Sequence, residues 1–267
     1  MKNLNAINGN EESRRRYESA TGMNYQHLSS LMGPSAEAIS SAATHEHAVQ
    51  RMDLCYLRGE RARKIVTRSR FRSTGKFPSH KMRRMIQWES RSELAAFHHL
   101  ESDPCVQGYW EQPCIVSYSD GAQIRKHYPD ICVHYLAHKE LWEIKPVSQL
   151  AEQELVWRTD LLAPGLLDFG FDYRVVFDET LMEQPRYANI QLLLRHCRKS
   201  FSLHEYEEIR LIALERGRLT WGEAASGLYG PEKLALLSTL TIRGILSVDL
   251  CKGFEDEASF RFIGERS

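Results

Sequence analysis

The chain has 267 residues, 42% of them hydrophobic and 26% charged, which is typical of a globular protein with one large domain or two modest ones. Its 35 lysines and arginines balance 35 aspartates and glutamates, so the net charge indicates no polyanionic partner. There is no apolar run of membrane-spanning length, no secretory signal and no C-x-x-C pair among the six cysteines. We therefore expect a cytoplasmic protein with reduced thiols, and neither a zinc ribbon nor a disulfide framework.

The polar start of the chain leads into a strongly basic segment. A helix is predicted over 35–52, without an assigned role. Residues 58–84 then contain eleven lysines and arginines against the single acid Glu60. This density favours nucleic acid without base preference, although a solvated basic linker explains it equally well. The candidate DNA-binding residues are Arg70, Arg72, Lys76, Lys81, Arg83 and Arg84.

A helix is predicted from Trp88 onwards. Glu93, Phe97 and Leu100 fall on one stripe of it, and the proline of Asp103–Pro104 should end it. An acid therefore lies on an apolar helix face, where an unpaired charge is costly.

A hairpin is predicted next, with strands over 114–118 and 123–127 and a turn at 119–121. The runs 130–136 and 140–145 then alternate apolar and polar residues as strands do. Each should present polar groups on one face, and Pro146 should end the second. A helix over about 148–162 and a strand over 173–177 complete an α/β layer, in which helices flank a mixed sheet.

The C-terminal part has the element order of a winged helix, namely three helices and then two strands. The helices are predicted over 203–217, 220–228 and 231–244, and the strands over 245–250 and 259–264. Thr220 and Glu223 have capping-box spacing, Pro231 suits a first helical turn, and Gly217 and Gly244 suit C-terminal caps.

Four residues form a candidate centre for phosphodiester hydrolysis: Glu93, Asp130, Glu143 and Lys145. Magnesium prefers oxygen ligands, which Asp130 and Glu143 offer. Since Glu143 and Lys145 are two apart on a strand, the amine can orient water or offset phosphorane charge beside the ion. The alternative is a surface salt bridge between Glu143 and Lys145, with Asp130 as a turn residue.

These motifs resemble those of TnsA, the endonuclease subunit of heteromeric cut-and-paste transposases. The resemblance is carried by KMRRMIQWESRSELAAFHHLESDPCVQGYWEQP at 81–113, Tyr-Pro-Asp at 128–130 and LWEIKP at 141–146. It covers residues 70–180 and, more loosely, the C-terminal part. Gln112 also matches the family, and we expect it to shape the start of the next strand.

The resemblance implies an α/β restriction-endonuclease-like domain followed by a winged-helix domain. The chain then divides into an N-terminal polar and basic region (1–69), a catalytic domain (70–185) and a winged-helix domain (186–267). Carried over by position, Glu93, Asp130 and Glu143 bind Mg²⁺, with Mn²⁺ able to substitute, and Lys145 is the catalytic lysine. Glu89 is a rival for the helix acid, but Glu93 shares the apolar stripe.

The resemblance also implies partners. Such subunits cut the 5′ ends of the transposon, a TnsB-like transposase cuts and joins the 3′ ends, and a TnsC-like ATPase regulator couples both to a target. The chain has no phosphate-binding P-loop, so ATP hydrolysis would come from a partner. We favour protein contact over DNA contact for the winged helix, because its third helix has few basic residues. A stand-alone restriction or repair nuclease and a non-catalytic DNA-binding adaptor are the alternatives.

Overall fold

A computed structural model of the chain describes residues 52–57, 62, 73–119, 123–150, 152–254 and 257–263. Arg70 and Arg72 lie outside these ranges, as does the helix predicted over 35–52 apart from its last residue. The described chain forms two units, one drawn from 27–97 and 105–181 and the other from 98–104 and 182–267. None of the described helices is long and apolar enough to cross a membrane.

Among the described residues, the first unit contains nine strands, the start of one helix and two further helices. The strands are β1 (Met52–Tyr56), β2 (Gly75–Ser79), β3 (Arg84–Trp88), β4 (Val106–Glu111), β5 (Cys114–Ser119), β6 (Ile124–His127), β7 (Ile131–Tyr135), β8 (Lys139–Lys145) and β9 (Asp172–Phe177). The helices are α1 (Arg91–Ser102), which continues into the second unit, α2 (Gln153–Asp168) and α3 (Asp178–Leu181), with a 3₁₀ turn at Val147–Gln149.

A four-stranded mixed sheet in the order β4-β7-β8-β9 is the centre of this unit. The first three strands are antiparallel, and β9 runs parallel to β8. Leucines of α2 pack against this sheet, and Phe97 of α1 stacks on Tyr109 of β4 with ring centroids 5.6 Å apart. A second sheet has the order β1-β5-β6, and β2 pairs with β3 as a separate hairpin. The predicted α/β class with a mixed sheet is confirmed.

Several predicted elements of this unit occur where the sequence places them. The end of α1 before Pro104, the hairpin of β5 and β6, and the end of β8 before Pro146 are confirmed. The helix predicted from Trp88 begins only at Arg91, because Trp88 is the last residue of β3. The helix predicted over 148–162 begins later, at Gln153, because the preceding residues form the 3₁₀ turn. Two features were not predicted: β1 lies within the region assigned to 1–69, and the β2-β3 hairpin lies in and just beyond the basic segment.

The predicted alternation of polar and apolar faces is wrong for β7. Ile131, Cys132 and Val133 all have 0% exposure, so both faces of this strand are covered. The reason is its place in the sheet, between β4 and β8, with Cys132 packed in the same apolar cluster as the leucines of α2. A strand buried on both faces loses the period of two that marks a half-exposed one.

The second unit contains short elements around an apolar core. Its helices are α4 (Arg186–His196), α5 (Leu203–Arg216), α6 (Trp221–Ala225) and α7 (Lys233–Ile242). Its strands are β10 (Leu219–Thr220), β11 (Leu246–Ser247) and β12 (Ser259–Phe262), which form an antiparallel sheet in the order β10-β12-β11. Leu193, Ile209, Leu237, Leu240 and Phe260 are among the buried residues that hold it together.

Two helix ends of this unit, the start of α6 and the end of α5, follow the capping rules applied to the sequence. Thr220 accepts a hydrogen bond from the Glu223 amide at 3.3 Å, and Gly217 ends α5 in the left-handed conformation, with φ 74°. Ser202 and Glu205 form a full capping box, which was not predicted. The prediction for Pro231 is wrong, because α7 begins only at Lys233.

Candidate functional site

An open cavity of about 420 Å³ in the first unit gathers acidic side chains from separate elements. Its lining residues are Ser73, Glu89, Ser90, Arg91, Glu93, Gln112 and Asp130. Two of the four predicted site residues, Glu93 and Asp130, therefore share one cavity. The rival acid Glu89 lies in it as well.

Glu93 is held at the cavity by the start of α1. The Ser90 hydroxyl accepts a hydrogen bond from the Glu93 amide at 3.0 Å, and Glu93 Oε2 accepts one from the Glu89 amide at 2.8 Å. Ser90 and Glu93 have the spacing of a capping box, a signal present in the sequence but not used there. The acid on the apolar stripe is thus stabilised by backbone donors at the beginning of its own helix.

Asp130 lies immediately before β7, where its Oδ2 accepts a hydrogen bond from the Ile144 amide of β8 at 2.7 Å. Burial raises the pKa of Asp130 to about 7, against the lowering effect of that hydrogen bond. The negative charges of Glu143 and Glu93 contribute to this raised pKa, and the positive charge of Lys145 acts against them. Glu93, Glu143 and Lys145 are therefore each near enough to Asp130 to influence its ionisation.

Glu143 is 3% exposed, and both of its carboxylate oxygens are occupied. Oε1 lies 2.9 Å from Lys145 Nζ and 2.7 Å from Arg158 Nη2. Oε2 lies 2.9 Å from His127 Nε2 and accepts a hydrogen bond from the Tyr173 hydroxyl.

These contacts set the ionisation of Glu143. Burial alone would raise the pKa of Glu143, but the hydrogen bond and charge of His127, with the charges of Arg158 and Lys145, hold it well below its ordinary range. The ion pair between Glu143 and Lys145 does form, although not as the surface pair considered from the sequence. His127, Arg158 and Tyr173 were not predicted, because no local pattern joins them to Glu143.

Glu93, Asp130 and Glu143 are not already arranged as a compact triad. Among the described residues, the group of three ligands whose atoms lie within 4.8 Å of one another is His138, Glu140 and Asp172. That group suits a metal poorly, because Glu140 already lies 2.7 Å from Arg174 Nε and accepts a hydrogen bond from Trp142.

The acidic cavity offers oxygen ligands of the kind that a hard divalent cation needs. Glu89, Glu93 and Asp130 line it, although their ligand atoms do not all lie within 4.8 Å of one another. It also contains Gln112, whose buried Oε1 has no hydrogen-bond partner among the residues described. Carboxylate and amide oxygens are the ligands that Mg²⁺ and Ca²⁺ prefer.

The described DNA-binding candidates belong to the β2-β3 hairpin. Lys76 lies on β2, and Lys81 and Arg83 lie in the turn. The side chains of Lys76 and Arg83 are exposed. The Arg84 guanidinium instead pairs with the Glu111 carboxylate through two contacts of 2.8 and 2.5 Å. Arg91, which was not predicted, lines the acidic cavity itself.

No protein-family model matches the chain, and no curated protein matches it.

Proposed function

We propose that this chain is a Mg²⁺-dependent DNA endonuclease that cleaves the 5′ ends of a transposon as one subunit of a cut-and-paste transposase. The observation that carries the proposal is the acidic cavity that brings Glu93 to Asp130, with Glu143 and Lys145 close enough to shift the pKa of Asp130. Its proposed partners are double-stranded DNA, a TnsB-like transposase and a TnsC-like ATPase regulator.

The element order supports both proposed domains. The series α1, β4, β7, β8, α2, β9 around one mixed sheet agrees with a restriction-endonuclease-like core, in which β5 and β6 are an insertion. A winged helix agrees with the order α5, β10, α6, α7, β11, β12 and with the small sheet in which β12 is the central strand. We assign these folds to the two units on that basis.

Glu93, Asp130 and Glu143 would hold the Mg²⁺, and Mn²⁺ can substitute. When bound, the ion supplies Lewis-acid activation of the phosphate and of the attacking water. Glu143 can bind the ion only if one of its present contacts is replaced by a contact to the ion. Lys145 is the most exposed of its charged partners, at 29% against 17% for Arg158 and 11% for His127.

The exchange gives Lys145 its role. Once it leaves Glu143, its ammonium group is available to orient the water and to stabilise negative charge on the phosphate oxygens. The proposed path of the DNA backbone runs from this cavity to the exposed cations of the β2-β3 hairpin.

The test is cleavage of DNA that carries the transposon ends, in Mg²⁺ or Mn²⁺, with and without the partner transposase. Asp130→Asn should abolish cleavage, whereas Asp168→Asn, an exposed aspartate at the end of α2, should not. Loss of cleavage on chelation with EDTA should be reversed by Mn²⁺. Cutting by a folded, pure Asp130→Asn protein would reject the site.

The same assay separates the alternatives. Cleavage without any partner would favour a stand-alone nuclease. A wild-type chain that neither cuts nor binds Mn²⁺ would favour a non-catalytic adaptor.

A further inference from the structure

We infer that Gln112 contributes its side-chain amide oxygen to the coordination of a divalent cation in the acidic cavity. The inference rests on the proposed function and adds a neutral ligand to the carboxylates already considered. It depends on two features of Gln112 that are unfavourable in a protein without a ligand.

The first feature is an unmatched acceptor. Gln112 is 8% exposed, and its Nε2 donates a hydrogen bond to Glu89 Oε1 at 3.0 Å, while its buried Oε1 has no partner among the described residues. Turning the amide over would set its oxygen against the Glu89 carboxylate, so the present orientation is the favourable one. A buried carbonyl oxygen without a donor is destabilising unless something else binds it.

The second feature is the backbone. Gln112 has φ 44°, in the left-handed region that glycine and asparagine tolerate better than glutamine. Two hydrogen bonds hold it there: its amide donates to the Asp130 carbonyl at 2.8 Å, and its carbonyl accepts from the Ala62 amide at 2.9 Å. The Gln112 side chain therefore begins one backbone hydrogen bond away from a proposed metal ligand, and such strain is concentrated in functional sites.

A neutral oxygen suits the chemistry of the cavity. Glu89, Glu93 and Asp130 already line it, and a further acidic residue would add to the repulsion between negative charges. An amide oxygen adds a ligand for a hard cation without adding charge. The hydrogen bond to Glu89 fixes the amide plane, as partners of metal ligands commonly do.

The test measures binding of Mn²⁺ alone, through the electron paramagnetic resonance signal of the free ion, on the full-length chain. Gln112→Gly removes the amide and suits the positive φ, and Gln112→Met keeps the side-chain volume without an oxygen. Each should weaken Mn²⁺ binding on the order of tenfold. Gln107→Ala, at an exposed position of β4, is the control and should bind like the wild type.

Thermal unfolding of each variant shows which are folded, and only folded variants are compared. Wild-type affinity in a folded Gln112→Gly or Gln112→Met protein, alongside loss of binding in Asp130→Asn, overturns the inference and leaves the proposed function standing. A wild-type chain that binds no Mn²⁺ overturns both.

Discussion

The side-chain carboxylate of Asp130 accepts a hydrogen bond from the backbone amide of Ile144 at 2.7 Å. This bond joins the residue before β7 to the position on β8 between Glu143 and Lys145. Because it uses a backbone amide, it holds the Asp130 carboxylate at that place whichever side chain occupies position 144. Asp130, a proposed metal ligand, is therefore bonded to the strand that carries Lys145, the proposed catalytic lysine.

Replacing Lys145 should affect chemistry more than structure. Lys145→Met removes the ammonium group from a side chain that is 29% exposed, so the protein should fold. The single-turnover rate of DNA cleavage should fall by about 100-fold or more, the usual contribution of a positioned acid-base group. Lys126→Met, at an exposed position of β6, is the control. Wild-type rates from the Lys145 variant would exclude it from the reaction.

Replacing Glu143 should affect stability strongly. Glu143→Gln leaves Arg158 and Lys145 without their shared counter-charge, so urea denaturation should show a free energy of unfolding lower by about 3 kcal/mol. Glu154→Gln is a matched control, because Glu154 is 73% exposed and lies 3.9 Å from the same Arg158. It should change stability by less than about 0.5 kcal/mol. Equal stability of the two variants would contradict the role assigned to Glu143.

The exposed cations of the β2-β3 hairpin should contribute to DNA affinity through charge. The double variant Lys76→Ala and Arg83→Ala should weaken binding to any duplex sequence. It should also reduce the slope of log affinity against log salt by roughly 2, because each of the two cations should neutralise one phosphate. Fluorescence anisotropy at several salt concentrations measures this slope. An unchanged slope would remove the hairpin from the DNA interface.

Arg84 should behave differently from its neighbours on the hairpin. Its guanidinium is bound to Glu111, whose side chain is 4% exposed, so Arg84→Ala leaves a buried carboxylate without its charged partner. We expect a lower melting temperature and a nearly unchanged salt slope. The opposite result would mean that Arg84 leaves Glu111 to bind phosphate.

The second unit should lose stability in acid through His98. Burial lowers the pKa of His98 to about 4, from an ordinary value of 6.5, and its ring lies 3.2 Å from the Tyr187 hydroxyl. The unfolded chain therefore binds a proton first as pH falls. Stability from the neutral ring is complete above pH 6.5 and is lost as pH falls towards 4, by at most about 1.4 kcal/mol per pH unit.

Urea denaturation between about pH 7.5 and 5 tests this dependence. His98→Gln should flatten the pH profile, while His204→Gln, whose side chain is 84% exposed, should leave it steep. Parallel profiles for the wild type and His98→Gln would assign the acid sensitivity to other groups.

Local chemistry was enough to predict the presence of α1, the β5-β6 hairpin, the end of β8, and the three helices and two strands of the C-terminal part, although not β10 between the first two of those helices. Each depends on residues within a few positions of one another, such as the apolar stripe of α1 or Pro146 after β8. The starts of α1, α2 and α7 were predicted too early, because the local features that delay the start of a helix do not change its apolar periodicity. A 3₁₀ turn before Gln153 and an αL residue at Glu232 are not marked by periodicity.

The environment of the candidate site was decided by packing between distant segments. Glu143 obtains its partners from β6, α2 and β9, and the tyrosine among them is 30 residues away along the chain. The positive φ of Gln112 and the pairing of Arg84 with Glu111 likewise arise only when β4 meets its neighbours. Residue types and spacings indicated which groups could act on a phosphodiester. Which of their atoms are already bonded depends on contacts between segments that are not neighbours along the chain, and periodicity carries no information about those contacts.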